Sequence, residues 1–211
     1  RSDEVTIQGG QAIGPNGSVS IAEIARTWYL RPQDLPADVD IGGLEATVGY
    51  KPQRDSGTFS YATHAAVVAV DPDLGDVDIL DYAIVEDGGK LVNPMIADGQ
   101  IFGGLAQGIG TALYEEMPFD AAGQPLASTF AEYLLPGPTE VPAPRLEHME
   151  TLSPYTEFGV KGIGEGGAIA PPAAIANAVN DALKPLRAEV SQTPITPRQV
   201  LEAIAAARGS L

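Results

Sequence analysis

The chain has 211 residues, of which 44% are hydrophobic, and a net charge of −16. A length of this order buries about 70% of the unfolded surface, so one domain or two closely packed lobes is expected, and Gly plus Pro at about a fifth of the chain stays below the range that marks disorder. The charge excludes a nucleic-acid binder, which needs clustered Lys and Arg, and the lack of cysteine excludes disulfides, thiolate metal sites and iron–sulfur ligation within this chain.

In chain order, Ser20-Ile21-Ala22-Glu23 forms a capping box, and Ile21, Ile24, Ala25 and Trp28 give a short amphipathic helix. Arg31 to Gly43, with two prolines, three aspartates and a double glycine, is expected to be a linker, which divides the chain into 1–43 and 44–211. Leu44 to Tyr50 and Thr63 to Val70 are predicted strands on their β-branched content, and Asp71-Pro72-Asp73-Leu74-Gly75-Asp76 turns the chain into a third, Val77 to Glu86. Calcium is not expected there, because the calcium loop wants glycine at its sixth position and glutamate at its twelfth, where this chain has Asp76 and Tyr82. His64 and His148 each lack a second ligand at metal spacing and are expected to be structural.

The helix predicted around Gln100 to Leu113 has two unlike sides. Ile101, Leu105, Ile109, Ala112 and Leu113 fall on one, and Gln100, Gly103, Gly104, Gln107 and Thr111 on the other. A solvent face is normally charged, whereas this one is amide and glycine, and each interior glycine costs about 1 kcal/mol against alanine. Another backbone or a flat polar ligand must come close to it.

The segment Phe158-Gly159-Val160-Lys161-Gly162-Ile163-Gly164-Glu165-Gly166-Gly167 sets one carboxylate in a glycine run. A helix follows, with Ile175, Ala178, Val179, Ala182 and Leu183 at helical spacing, so the glycine turn is tied down at both ends. Gly162, Gly164 and Gly167 satisfy the dinucleotide pattern G-x-G-x-x-G. However, Ser153 to Phe158 is not a buried strand, and the acid expected about 20 residues on falls near Lys184-Pro185. Thr196-Pro197 opens a last helix through Ala207. The elements make an α+β fold with a mixed or antiparallel sheet and packed helices. No apolar run approaches the ~20 residues of a membrane span, and no export leader is visible, so a soluble, cytoplasmic protein is expected.

Four ordered segments resemble the molybdenum hydroxylases, the group of xanthine dehydrogenase, aldehyde oxidase and aerobic carbon monoxide dehydrogenase. They are Val70-Asp71-Pro72 with Gly75 and Val77; Asn93-Pro94 with Gly99-Gln100-Ile101-Phe102-Gly103-Gly104-Leu105-Ala106-Gln107-Gly108-Ile109-Gly110-Thr111-Ala112-Leu113-Tyr114-Glu115-Glu116; Tyr133-Leu134-Leu135-Pro136; and Phe158 to Glu165. The match runs from about Leu44 to Leu186 and is similar to the C-terminal, second molybdopterin-binding lobe of the large subunit. The resemblance implies Glu165 as general base at the molybdenum centre, in a hydroxylation of an aldehyde or N-heterocycle carbon that takes its oxygen from water. It implies Gln107, with Gly108 and Gly164, as contacts to molybdopterin or its cytosine dinucleotide form; an amide offers donors and an acceptor to a heterocycle edge. Partial burial among glycine and apolar residues would raise the proton affinity of Glu165. Lys161 would support the loop.

The resemblance further implies that iron–sulfur clusters and FAD sit on partner subunits, beside the N-terminal remainder of the large subunit. Two features depart from the pattern. The upstream cofactor segments are missing, and the usual aspartate-cysteine-glycine is Asp87-Gly88-Gly89. A chain that begins at Arg1 is therefore expected to be a fragment, a processed product or half of a split subunit, inactive alone. The competing reading is a cofactor-free scaffold of the same fold.

Overall fold

The computed structural model describes residues 4–39, 43–51, 54 and 58–209. It divides into two compact units, Arg1–Lys51 and Pro52–Leu211. In the first, β1 (Thr6–Gln8), β2 (Gln11–Gly14) and β3 (Gly17–Ser20) form an antiparallel meander that leads into α1 (Ile21–Leu30). The Ser20 hydroxyl accepts from the Glu23 amide at 3.0 Å, so the cap is where the sequence puts it. The meander itself is not evident from the pattern, because its strands are three or four residues long. Residues 40–42 of the expected linker lie outside the described residues. The strand expected at Leu44–Tyr50 does not form: the segment is irregular and exposed. Strand propensity has no effect without a neighbour to pair with.

The second unit is built on a mixed sheet. β4 (Tyr61–Val70) and β5 (Val77–Asp87) are an antiparallel hairpin, and β6 (Arg145–Met149) adds parallel to β5. At the hairpin tip Asp71 Oδ1 accepts from the amides of Asp73 and Leu74 at 2.8 and 2.9 Å, and Gly75 adopts φ +80°. The aspartate cluster is thus an Asx turn, and no group of metal-ligating side chains occurs among the described residues. Pairing shifts register between Val67 and Val68, where Leu80 of β5 is the additional residue. This bulge decides which β5 side chains face inward: Val77 and Ile79 before it, Tyr82, Ile84 and Glu86 after it.

Three long helices cover that inward face: α2 (Pro94–Ile109), α4 (Pro171–Leu183) and α5 (Pro197–Gly209). The Asn93 side chain caps α2, with Pro94 at its first position. Its C-terminal end passes into a π-helical turn, Gly110–Tyr114, closed by the Glu115 amide on the Gly110 carbonyl. Ile101, Leu105, Ile109 and Ala112 are fully buried, as the helical spacing predicts, and Leu113 nearly so. They meet Ile175, Val179 and Leu183 of α4 and Val200 and Ile204 of α5. Ala178 and Ala182 stay outside this core, since the buried stripe of α4 is narrower than expected. No helix among the described residues is long and apolar enough to cross a membrane.

Leu105 is fully buried in this layer. Leu105→Ala is expected to cost about 2–5 kcal/mol, seen as a lower urea midpoint with an unchanged slope.

Candidate cofactor-binding and active site

The two segments singled out by their glycines lie side by side. A short helix, α3 (Gly166–Ile169), follows Glu165 and packs against α2. A Cβ on Gly104 would lie 2.7 Å from the Gly167 backbone, and one on Gly167 would lie 2.9 Å from Ile101 Cα. Real side chains do not tolerate such distances, so Gly104 and Gly167 are glycine because two backbones touch there. Gly108 is likewise closed by the ring of Pro171 at 2.7 Å.

The other helix glycines have no such explanation. A Cβ on Gly99 or Gly103 would meet nothing within 4 Å. Gln100, Gly103, Gln107 and Thr111 are all exposed, and the Thr111 hydroxyl donates to the Gln107 backbone carbonyl at 3.2 Å. Across from this face, Gly164 is open: a Cβ there would meet only the Gln100 Nε2, at 4.0 Å. The result is an uncharged, amide-bearing strip of bare helix backbone, bordered by the glycine loop.

The loop is fixed at its other end too. The Lys161 amide donates to the Gly88 carbonyl at 3.1 Å, and the Lys90 amide to the Gly159 carbonyl at 3.3 Å. Lys161 Nζ lies 3.0 Å from Asp87 Oδ1, with both side chains buried, and 5.0 Å from the centre of the Tyr61 ring. The Gly89 amide also donates to Asp87 at 2.9 Å. Burial alone would raise the Asp87 carboxyl. The hydroxyls of Thr151 and Tyr61, the Gly89 amide and the Lys161 ammonium outweigh it and hold that carboxyl far below the usual range. The departure Asp87-Gly88-Gly89 therefore leaves its aspartate as the anchor of the loop. No strand precedes the glycines, only a 3₁₀ turn at Glu157–Gly159, so the dinucleotide geometry is absent.

Glu165 occupies the cap position of α3, makes no capping bond with its side chain and is exposed. The partial burial expected for it is not found within this chain, because its neighbours are glycines that cover nothing. His64 packs edge-on against Tyr82 with Nδ1 3.1 Å from the phenol oxygen, and His148 Nε2 lies 2.7 Å from Asp98 Oδ1.

One buried group is not apparent from the sequence. Glu86 is 1% exposed, and its two oxygens meet no hydrogen-bond partner. Burial raises its carboxyl above the ordinary value, with Asp87 adding to the rise and His148 opposing it. The alternation Tyr82, Ile84, Glu86 carries the signal, once Leu80 is counted as a bulge.

Comparison with known proteins gives the family. Residues 1–142 match the family described as the molybdopterin cofactor-binding domain. The chain belongs to that family, within the molybdenum hydroxylases. It is 41% identical over 185 residues to the nicotine 6-hydroxylase large subunit of Paenarthrobacter nicotinovorans, covering 88% of this chain and 22% of that one. It is 36% identical over 146 residues to the carbon monoxide dehydrogenase large chain of Hydrogenophaga pseudoflava, covering 69% and 17%. Among solved structures, quinoline 2-oxidoreductase from Pseudomonas putida 86 superposes with a TM-score of 0.83 at 37% identity, over 97% of this chain and 26% of that one. The chain thus spans about a quarter or less of the length of these relatives. Residues Gln107 and Gly108 fall inside the family match, whereas Gly164 and Glu165 lie beyond its end.

The Asp87–Lys161 pair makes two testable statements. Asp87→Asn leaves a buried ammonium without its partner and is expected to cost about 3–5 kcal/mol in a denaturant titration. Because the folded-state carboxyl is depressed, its contribution is present above the ordinary aspartate range near pH 4 and is lost as pH falls toward the folded value. The acid limb of a stability-against-pH curve should therefore be shallower in Asp87→Asn than in the wild type.

Proposed function

We propose that this chain is the part of a molybdenum-dependent oxidoreductase that presents the general base, Glu165, beside a molybdopterin-binding strip on α2. The observation that carries the reading is the open amide-and-glycine face. Gly99 and Gly103 lay bare helix backbone that nothing among the described residues covers, and Gln100 and Gln107 supply donors and acceptors along it. That donor set fits a polar heterocycle, and the membership in a molybdopterin-binding family agrees with it.

In this reading Gln107 binds the pterin edge, Gly108 keeps the helix close to Pro171, and Gly164 leaves the approach to the cofactor clear. When bound, the molybdenum cofactor supplies a two-electron redox centre and Lewis acidity. Glu165 accepts the proton released as a water-derived oxygen joins the substrate carbon. Its fixed position comes from the Lys161 anchor on one side and the Gly104–Gly167 contact on the other. The substrate is an aldehyde or N-heterocycle; the relatives named for nicotine and quinoline support the latter class. In this reading the remainder of the large subunit, an iron–sulfur subunit and a flavin subunit complete the enzyme; this chain, without cysteine, supplies no thiolate to a cluster.

In the complete assembly, Glu165→Gln is expected to lower turnover by about 10²–10⁴-fold while molybdenum content stays at the wild-type level. Turnover near wild type would remove Glu165 from this role. Gln107→Ala should instead reduce the pterin and molybdenum retained on gel filtration. An assembly free of molybdenum would point to a scaffold.

A further inference from the structure

The Glu86 carboxyl lies under the loop that presents Glu165. A Cβ on Gly166 would collide with it, coming within 3.0 Å of the Glu86 carboxyl carbon. Glu86 therefore occupies the space that a side chain at 166 would need, and either its carboxyl or the turn must shift to admit one. Ala62 pairs with Glu86 across β4, where a larger side chain would compete for the same room, and His148 pairs with it across β6. The His148 Nδ1 is buried without a partner, while its Nε2 meets Asp98 of α2. Asp87, the next residue on β5, is committed to Lys161.

The charged and titratable groups around Glu86 are Asp87 on its own strand, held by Lys161, and His148 on β6, with Asp98 of α2 behind it, while His64, on the same face of β4 as Ala62, meets Tyr82. None of them donates to either Glu86 oxygen. An ionised carboxylate buried without donors is strongly disfavoured, so the neutral acid is the form that fits the site.

We propose that Glu86 is a positioning residue: as a neutral acid packed beneath Gly166, it seats the glycine turn that holds Glu165 in place. This rests on Glu165 being the base. A carboxylic acid and a carboxamide have nearly the same shape, whereas alanine leaves a void under the turn. Glu86 acts by filling space and carries no proton to or from the reaction.

The experiment uses the complete, cofactor-loaded enzyme. An infrared difference spectrum of wild type against Glu86→Gln at neutral pH should contain the carbonyl band of a protonated carboxyl; a carboxylate band in its place overturns the proposal. Glu86→Gln should keep turnover within about threefold of wild type with the pH profile of kcat unmoved, while Glu86→Ala lowers kcat about tenfold or more with little change in KM. Equal losses in the two variants, or a displaced pH limb in Glu86→Gln, mean a charged or proton-carrying group and also overturn it.

Gly166→Ala should lower kcat and the thermal midpoint, and Glu86→Ala/Gly166→Ala should recover part of both, since the methyl then enters the vacated space. Additive losses sink the packing claim. On a Glu165→Gln background, Glu86→Ala should cost little further activity. If Glu165→Gln is itself fully active, the base assignment fails. The infrared band and the coupling of residues 86 and 166 in thermal midpoint still decide whether Glu86 is the neutral seat of the turn.

Discussion

The contact between the backbones of Gly104 and Gly167 is what the candidate site depends on. It lets α2 and the Glu165 loop approach until no side chain fits between them, so that Gly164 of the loop borders Gln100 of α2. A Cβ at either position would force the elements apart and, in the proposed reading, separate the two halves of the site. The lost helix propensity, about 1 kcal/mol for each interior glycine, is offset by the apolar layer on the opposite side of α2, where Ile101, Leu105 and Ile109 are fully buried.

The loop is held by different physics at its two ends. Toward its C-terminus it is held by packing against α2, and toward its N-terminus by backbone bonds to the Gly88–Lys90 turn together with the buried Asp87–Lys161 pair. A buried ion pair adds little net stability compared with an apolar substitute, but it is intolerant of losing either member. Here that intolerance fixes the point where the chain leaves β5's neighbourhood and enters the glycines. Glu165 can therefore stand exposed without a capping bond of its own and still occupy a defined place.

Much of this is legible in the residues. The apolar spacing of Ile101, Leu105, Ile109, Ala112 and Leu113 predicts the buried side of α2, and the Ser20 cap and the Thr63–Val70 and Val77–Glu86 strands stand close to where propensity and turn residues put them. Glycine spacing shows that something approaches α2, yet only the three-dimensional arrangement separates Gly104 and Gly108, which meet protein, from Gly99 and Gly103, which meet open space. The short meander and β6 are hidden because strands of three to five residues show too little alternation to detect. Leu44–Tyr50 has strand composition without a partner, a tertiary matter that composition does not encode. The burial of Asp87 and Lys161 is hidden for the same reason: their pairing spans 74 positions.

The bulge at Leu80 has a reach well beyond its own strand. One surplus residue there offsets the phase of everything downstream, so that the acid at 86 points into the protein and Val85 points out. Delete that single residue and the strand would present valine to the underside of the glycine turn and a glutamate to water. The chemistry of the floor beneath Glu165 is thus written six positions away, as a count of residues and not as an identity.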